Sequence, residues 1–181
     1  MEKQARLISY ILSPLVLIPL LLVLVSAKYS SSVNHFSLSL FLIFSTSIVP
    51  IFLIYGLLKR IGWISDWGIS IRRERFVIDF ASLVFAGVTV FLLRSYASSS
   101  VSYFLTLIFI ELAVFSFITL FTKISAHTSS ITLFVSMLIV LFGKGLMISI
   151  ILIPLVIWSR VYLGRHTVFQ ALSGVFITFI I

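Results

Sequence analysis

Long stretches of Leu, Ile, Val and Phe run between a few short polar clusters in this chain, and the apolar runs fall at 7–25, 36–58, 77–93, 101–122, 128–142, 146–158 and 167–181. A bilayer core of about 30 Å needs about 20 residues of helix. The pattern therefore predicts seven helices and short loops, with no room for a separate soluble domain. The expected fold is an all-α bundle of six to seven transmembrane helices forming one domain over 1–181. Two runs, 128–142 and 146–158, are short for a full crossing and would join into one helix if nothing divided them. Gly143-Lys144-Gly145 divides them, since glycine supplies turn conformations and a mid-helix lysine would face hydrocarbon. Met1 to Arg6 followed by Leu7 to Val25 imitates a signal peptide, with Val25-Ser26-Ala27 as the small-residue site. The run exceeds the usual 7–15 residues and carries Pro14 and Pro19, so a retained first span is expected.

Composition agrees with the pattern: 61% of residues are hydrophobic and 10% charged, against about 25% charged in soluble domains. A soluble fold is excluded. The absence of cysteine excludes disulfides, thiolate zinc sites, iron–sulfur clusters and cysteine nucleophiles. Thirteen Lys and Arg against five Asp and Glu leave a net charge of +8. The positive-inside bias of membrane proteins gives this excess without a nucleic-acid partner. With seven spans the loops alternate sides. Ten cations share one side: Lys3, Arg6, Lys59, Arg60, Arg72, Arg73, Arg75, Lys123, Arg160 and Arg165; the other side holds Lys28, Arg94 and Lys144. The first side is expected to be cytoplasmic and the protein a multi-pass protein of the cell membrane. Ser30-Ser31-Ser32 and Ser98-Ser99-Ser100 read as solvated hairpins on the opposite side, and His35 beside the first of them as a solvated histidine.

The same parity puts three polar clusters on one membrane face: Asp66 to Arg75, Lys123 to His127, and Ser159 to His166. Arginine forks match phosphate oxygens, and imidazole serves as nucleophile or general acid near neutral pH. Ser125 is a fitting N-cap, which places His127 at the positive end of a helix. His166 opens the last run, and Gln170, one turn on, is positioned for its oxygen to accept the Nδ1–H of His166 and leave Nε2 to attack. The competing reading is that basic residues at helix ends meet the needs of topology and nothing more.

These residues carry a resemblance. Ser159-Arg160, five residues and His166 resemble the third signature of the type 2 phosphatidic acid phosphatase and haloperoxidase superfamily, S-R-x-x-x-x-x-H-x-x-x-D. Ile124-Ser125-Ala126-His127 is similar to its second, P-S-G-H, with Ile for Pro and Ala for Gly. Asp66 to Phe76 falls where the first, K-x-x-x-x-x-x-R-P, belongs, but there Gly68 stands for the Lys and Phe76 for the Pro. The resemblance spans about 66–174. It implies a metal-independent lipid phosphatase: His166 as nucleophile forming a phosphohistidine, and His127 as the acid for the leaving group. Arg160, Arg75 and Arg72 would hold the phosphoryl oxygens, with Ser125 completing the cradle and Lys123 adding charge. Gln170 occupies the place of the usual Asp, and the stretch also looks like the dolichyl-diphosphate phosphatase branch, in which Gln occurs there. That branch implies a polyprenyl phosphate or diphosphate as substrate, with phosphatidic acid and phosphatidylglycerophosphate as alternatives.

Five acids set a limit of their own. Two-metal phosphatases, CDP-alcohol phosphotransferases and membrane prenyltransferases hold magnesium with carboxylate clusters at helical spacing, and Asp66, Glu74 and Asp79 are divided by arginines and the start of a span. No cofactor is expected. An interfacial site with apolar surroundings suits an amphiphile whose tail lies between spans among membrane lipids. A non-catalytic member that keeps only a phosphate-binding surface is the alternative, motivated by Gln170 and the eroded first signature. Glu111, midway along the fourth run, reads equally as a protonated packing residue or as a polar group lining the lipid cleft. The sequence carries no signal for oligomeric state.

Overall fold

Helices occupy all seven apolar runs, as they must where no water can satisfy backbone N–H and C=O groups. The computed structural model describes residues 1–65, 69 and 71–180, apart from the side chain of Arg72, and within them all regular structure is helical. In chain order the helices are α1 (Glu2–Ile11), α2 (Pro14–Tyr29), α3 (Val33–Ile43), α4 (Val49–Arg60), α5 (Arg72–Tyr96), α6 (Ser99–Thr119), α7 (Ala126–Phe142), α8 (Leu152–Tyr162) and α9 (Val168–Ile180). A π turn over Phe44–Ile48 joins α3 to α4, just ahead of Pro50, and a 3₁₀ stretch over Lys144–Ile151 leads into α8.

Among the described residues, five continuous stretches are long and apolar enough to cross a membrane: Glu2–Tyr29, Val33–Arg60, Arg73–Tyr96, Ser99–Thr119 and Lys144–Tyr162. Of the six to seven spans expected, the remaining two apolar helices are shorter: α7 has 17 residues and α9 has 13. At 1.5 Å per residue they extend about 25 and 20 Å, short of a core of about 30 Å. For α7 both limits are local: the N-cap Ser125 starts it, and Gly143, at φ 91°, ends it. The same glycine settles the division at 143–145 in favour of two helices.

The chain forms two compact units, Met1–Leu21 with Lys123–Ile181, and Leu22–Thr122. In the second unit α5 packs on α3, α4 and α6, and Thr46 of the π turn bonds Thr89 of α5 hydroxyl to hydroxyl at 2.7 Å. The serine-rich hairpins are more than solvated loops. Ser32 and Ser98 cap α3 and α6, and the Ser98 hydroxyl also donates to the Tyr29 carbonyl at 2.8 Å. His35 stays local, with Nδ1 2.9 Å from the Ser31 hydroxyl.

In the first unit α7 packs against α9 and α8, and α1 against α8. The α7–α9 seam is made of small and hydroxyl residues, as in helix pairs that associate without a hydrophobic drive. The Ser125 N–H donates to the Gln170 carbonyl at 3.3 Å, Thr128 Oγ1 donates to the Ala171 carbonyl at 2.8 Å, and Ser129 and Thr178 share a hydroxyl bond of 2.9 Å. Pairing advances along both helices together, so α7 and α9 run parallel with their N-termini side by side. A β-carbon on Gly174 would collide with Thr128 Oγ1 and stand 2.7 Å from the Ser125 carbonyl, which is why this close approach takes glycine. Large apolar side chains such as Phe142, Ile148, Phe169 and Phe176 face outward, while Ser125, Thr128, Ser129 and Thr132 are buried.

Candidate functional site

Six of the eight predicted site residues belong to the first unit, and its local folding explains their grouping. Ser125 caps α7 as expected, its hydroxyl accepting from the Thr128 N–H at 3.4 Å, and it is fully buried. His127 is the second residue of the helix and half-buried, within the first turn, where the helix dipole is positive and backbone N–H groups lack intrahelical acceptors. Lys123 is half-buried two residues before the cap.

Arg160 lies in the last turn of α8, and the five residues between it and His166 form the helix end. Gly164, at φ 66°, donates to the Val161 carbonyl at 3.0 Å, and the Arg165 N–H returns to the Arg160 carbonyl at 3.0 Å. This is a Schellman closure, which needs a residue free to take the left-handed region at the position of Gly164. One residue later the His166 N–H also reaches the Arg160 carbonyl, at 3.4 Å. The spacing in S-R-x-x-x-x-x-H is thus the length of chain that turns a helix end back on itself. Arg160 and His166 are 5% and 7% exposed, so both polar side chains are held inside the unit instead of snorkelling into solvent.

His166 does not open α9 itself. Thr167 is the N-cap, and it forms a reciprocal capping box with Gln170: the Gln170 N–H donates to Thr167 Oγ1 and the Thr167 N–H to Gln170 Oε1, both at 3.2 Å. The expected orientation of His166 by Gln170 is therefore corrected. The amide oxygen is turned to the backbone of Thr167, because Thr-x-x-Gln at a helix start is itself a capping signature. Through the α7–α9 seam, the α7 cap, the start of α9 and the Arg160 turn come together at one end of this unit, bringing Lys123, Ser125, His127, Arg160, His166 and Gln170 into one region.

Ser9 is a member of this region that the sequence did not disclose. Its hydroxyl accepts from Arg160 Nη1 at 2.7 Å, while Ser159 Oγ donates to the Ala5 carbonyl at 2.7 Å. Ala5 and Ser9 form a buried i, i+4 stripe on α1, whose small side chains let α8 approach. A small-residue stripe in a short polar helix was the available signal.

Arg72 and Arg75 begin α5 in the second unit. The side chain of Arg72 lies outside the described residues, as do Asp66 and Gly68 of the first signature. Arg75 is buried and donates through Nη2 to the Ile69 carbonyl at 3.5 Å. Its neighbours hold Ser65 and Trp63. Glu74 accepts from the Ser65 N–H at 3.1 and 3.2 Å and from the Ser65 hydroxyl at 3.1 Å, Lys59 Nζ donates to the Ser65 carbonyl at 2.7 Å, and Arg73 stacks over Trp63 at 5.3 Å. Ile69 takes φ 43°, unusual for a β-branched residue, and packs on Tyr55, Ile64 and Ile78. Glu111 is buried in α6.

No protein-family model, curated protein or solved structure matches the chain.

Proposed function

We propose that this protein hydrolyses a lipid phosphate or diphosphate, a polyprenyl one first among them, through a phosphohistidine on His166. The observation that carries the reading is the closed turn that returns His166 to Arg160, both buried, beside the N-termini of two parallel helices. Buried cations and helix N-termini stabilise phosphoryl oxygens, and phosphoryl transfer asks for positioning and charge more than for covalent help. In this reaction Nε2 of His166 attacks phosphorus as the bond to the leaving oxygen breaks, Arg160 and the start of α7 hold the equatorial oxygens, and His127 protonates the leaving oxygen. Water then attacks the phosphohistidine, giving its proton to His127 and releasing phosphate and neutral His166. A cavity of about 350 Å³ bordered by Pro154, Ile157, Trp158, Val161, Tyr162 and Val168 adjoins the Arg160 turn and offers an apolar wall to an isoprenyl or acyl tail.

One observation favours a second reading, a phosphate-binding protein without turnover. Gln170 is neutral and committed to its capping box, so it does not supply the charge stabilisation that a carboxylate gives a developing imidazolium. Phosphate release from polyprenyl diphosphate and phosphatidic acid in detergent with EDTA separates the two. Turnover that disappears in His166→Ala supports the phosphatase; release that survives the substitution contradicts it, and a wild type that binds phosphate without releasing it from either lipid supports the second reading. Arg75→Ala in the same assay tells whether the cation of the first signature contributes.

A further inference from the structure

The second unit holds a cavity made entirely of its own residues. About 470 Å³ in volume, it is lined by Arg73, Phe76 and Asp79 of α5, by Ser116 and Thr119 of α6, and by Leu120 just after α6. The spacing of three on α5 puts its contributors on one face, and they meet the last turn of α6, against which α5 packs. Asp79 lies six residues along the membrane-spanning stretch that begins at Arg73, about 9 Å at 1.5 Å per residue. The cavity therefore reaches from the helix ends into the apolar layer. Two oxygens in its walls, Asp79 Oδ2 and Ser116 Oγ, are buried and make no hydrogen bond among the described residues, and Ser116 is 8% exposed. The Thr119 hydroxyl, by contrast, donates to the Phe115 carbonyl at 2.8 Å. Buried oxygens without a hydrogen-bond partner are costly, so what these two require describes the ligand that would bind between them.

A carboxylate oxygen needs a donor, and the serine hydroxyl can supply one; a hydroxyl on the ligand answers both with a single atom, donating to one and accepting from the other. An ammonium has donors alone, and it would share the cavity with two cations. The charge of Arg75, one turn before Asp79, already acts on that carboxylate, and Arg73 stands in the wall, stacked over Trp63. An anion would face Asp79 instead. The remaining wall, Phe76 and Leu120, is apolar and exposed on the outer surface, where a membrane protein meets lipid tails. We infer that this cavity binds the hydroxyl head of a neutral lipid alcohol, which donates to Asp79 Oδ2 and accepts from Ser116 Oγ while its tail lies along Phe76 and Leu120. None of the lining residues belongs to the phosphate site, and the inference stands or falls independently of the phosphatase reading.

The test uses the full chain in nanodiscs of phosphatidylcholine, whose head group has no hydrogen-bond donor. The probes are a polyprenol and a diacylglycerol, each with a photoreactive diazirine in its tail, which share the hydroxyl and differ in the tail that carries it. Labelling is expected on the peptides containing Phe76 and Leu120. The unlabelled alcohol should compete about tenfold better than its methyl ether, the scale of one hydrogen bond to a charged group, and the probe that labels at the lower concentration identifies the tail. Ser116→Ala is expected to weaken labelling about fivefold, the scale of one neutral hydrogen bond. Asp79→Asn, which keeps the shape and removes the charge, should shrink the preference for alcohol over ether. Thermal unfolding accompanies each variant, and if Asp79→Asn does not fold, the ether competition and Ser116→Ala decide. Equal competition by alcohol and ether, labelling confined to other peptides, or labelling unchanged in a folded Ser116→Ala overturns the inference.

Discussion

Arg160 and His166 illustrate how little of a residue's role is visible in its type. Basic residues at helix ends satisfy topology in any membrane protein, and Arg165, half-buried one position before His166, is no different in composition from Arg160. What distinguishes Arg160 is its burial and its bond to Ser9, neither of which the sequence displays. Gln170 makes the opposite point. Its spacing from His166 suggests a catalytic partner, but its spacing from Thr167 is that of a capping box, and the structure uses the second. Gln170→Ala should therefore cost about 1 kcal/mol of stability, the usual loss for a cap, with turnover falling less than about tenfold. Unfolding in detergent and steady-state kinetics check the two parts. A hundredfold loss of turnover at unchanged stability, the scale of a removed orienting partner, would return Gln170 to the catalytic role.

At the scale of elements, the α7–α9 pair is what gathers the site. Ser125, Thr128 and Ser129 on one helix meet Ala171, Gly174 and Thr178 on the other, and the parallel register brings two N-termini to one end. The runs 128–142 and 167–181 were legible as apolar segments; their association was not, because small and hydroxyl residues look like interruptions of hydrophobicity until their partners are known. A helix start is legible at Ser125, where an N-cap serine precedes an apolar run. At His166 the start is less legible, because the capping threonine follows one residue later. Gly174→Ala should destabilise the unit by about 1–3 kcal/mol, the range for forcing a group into a closed seam, since the new methyl meets a backbone carbonyl at 2.7 Å. Thermal unfolding checks this, and a neutral result would mean that α7 and α9 are not in contact at that point.

For the whole molecule, the sequence's alternation of apolar runs and polar clusters conveys the helical class and the break at Gly143, but not the lengths of the helices that fill the runs. Hydropathy counts apolar residues, whereas Ser125 and Gly143 decide where α7 begins and ends. The first signature was the least readable part. Lys59 and Glu74 hold Ser65 and Arg73 covers Trp63, a structural duty that charge counting assigns to topology. Topology itself can be tested within the first unit, because the chain has no cysteine and single ones can be introduced cleanly. Cysteines replacing Lys123 and Arg165 should react with an impermeant maleimide from the same membrane face. Labelling of Lys123 and Arg165 positions from opposite faces would dismantle the site.

The claim on which all of this turns is that His166 carries the phosphoryl group. Brief reaction with polyprenyl diphosphate labelled in the terminal phosphate, followed by alkaline quench and peptide mapping, tests it most directly. The account predicts acid-labile, alkali-stable label on the peptide containing His166, absent from His166→Ala and accumulating in His127→Ala, where water activation is slowed. Label on any other residue, or turnover with no labelled protein at any time, would contradict it.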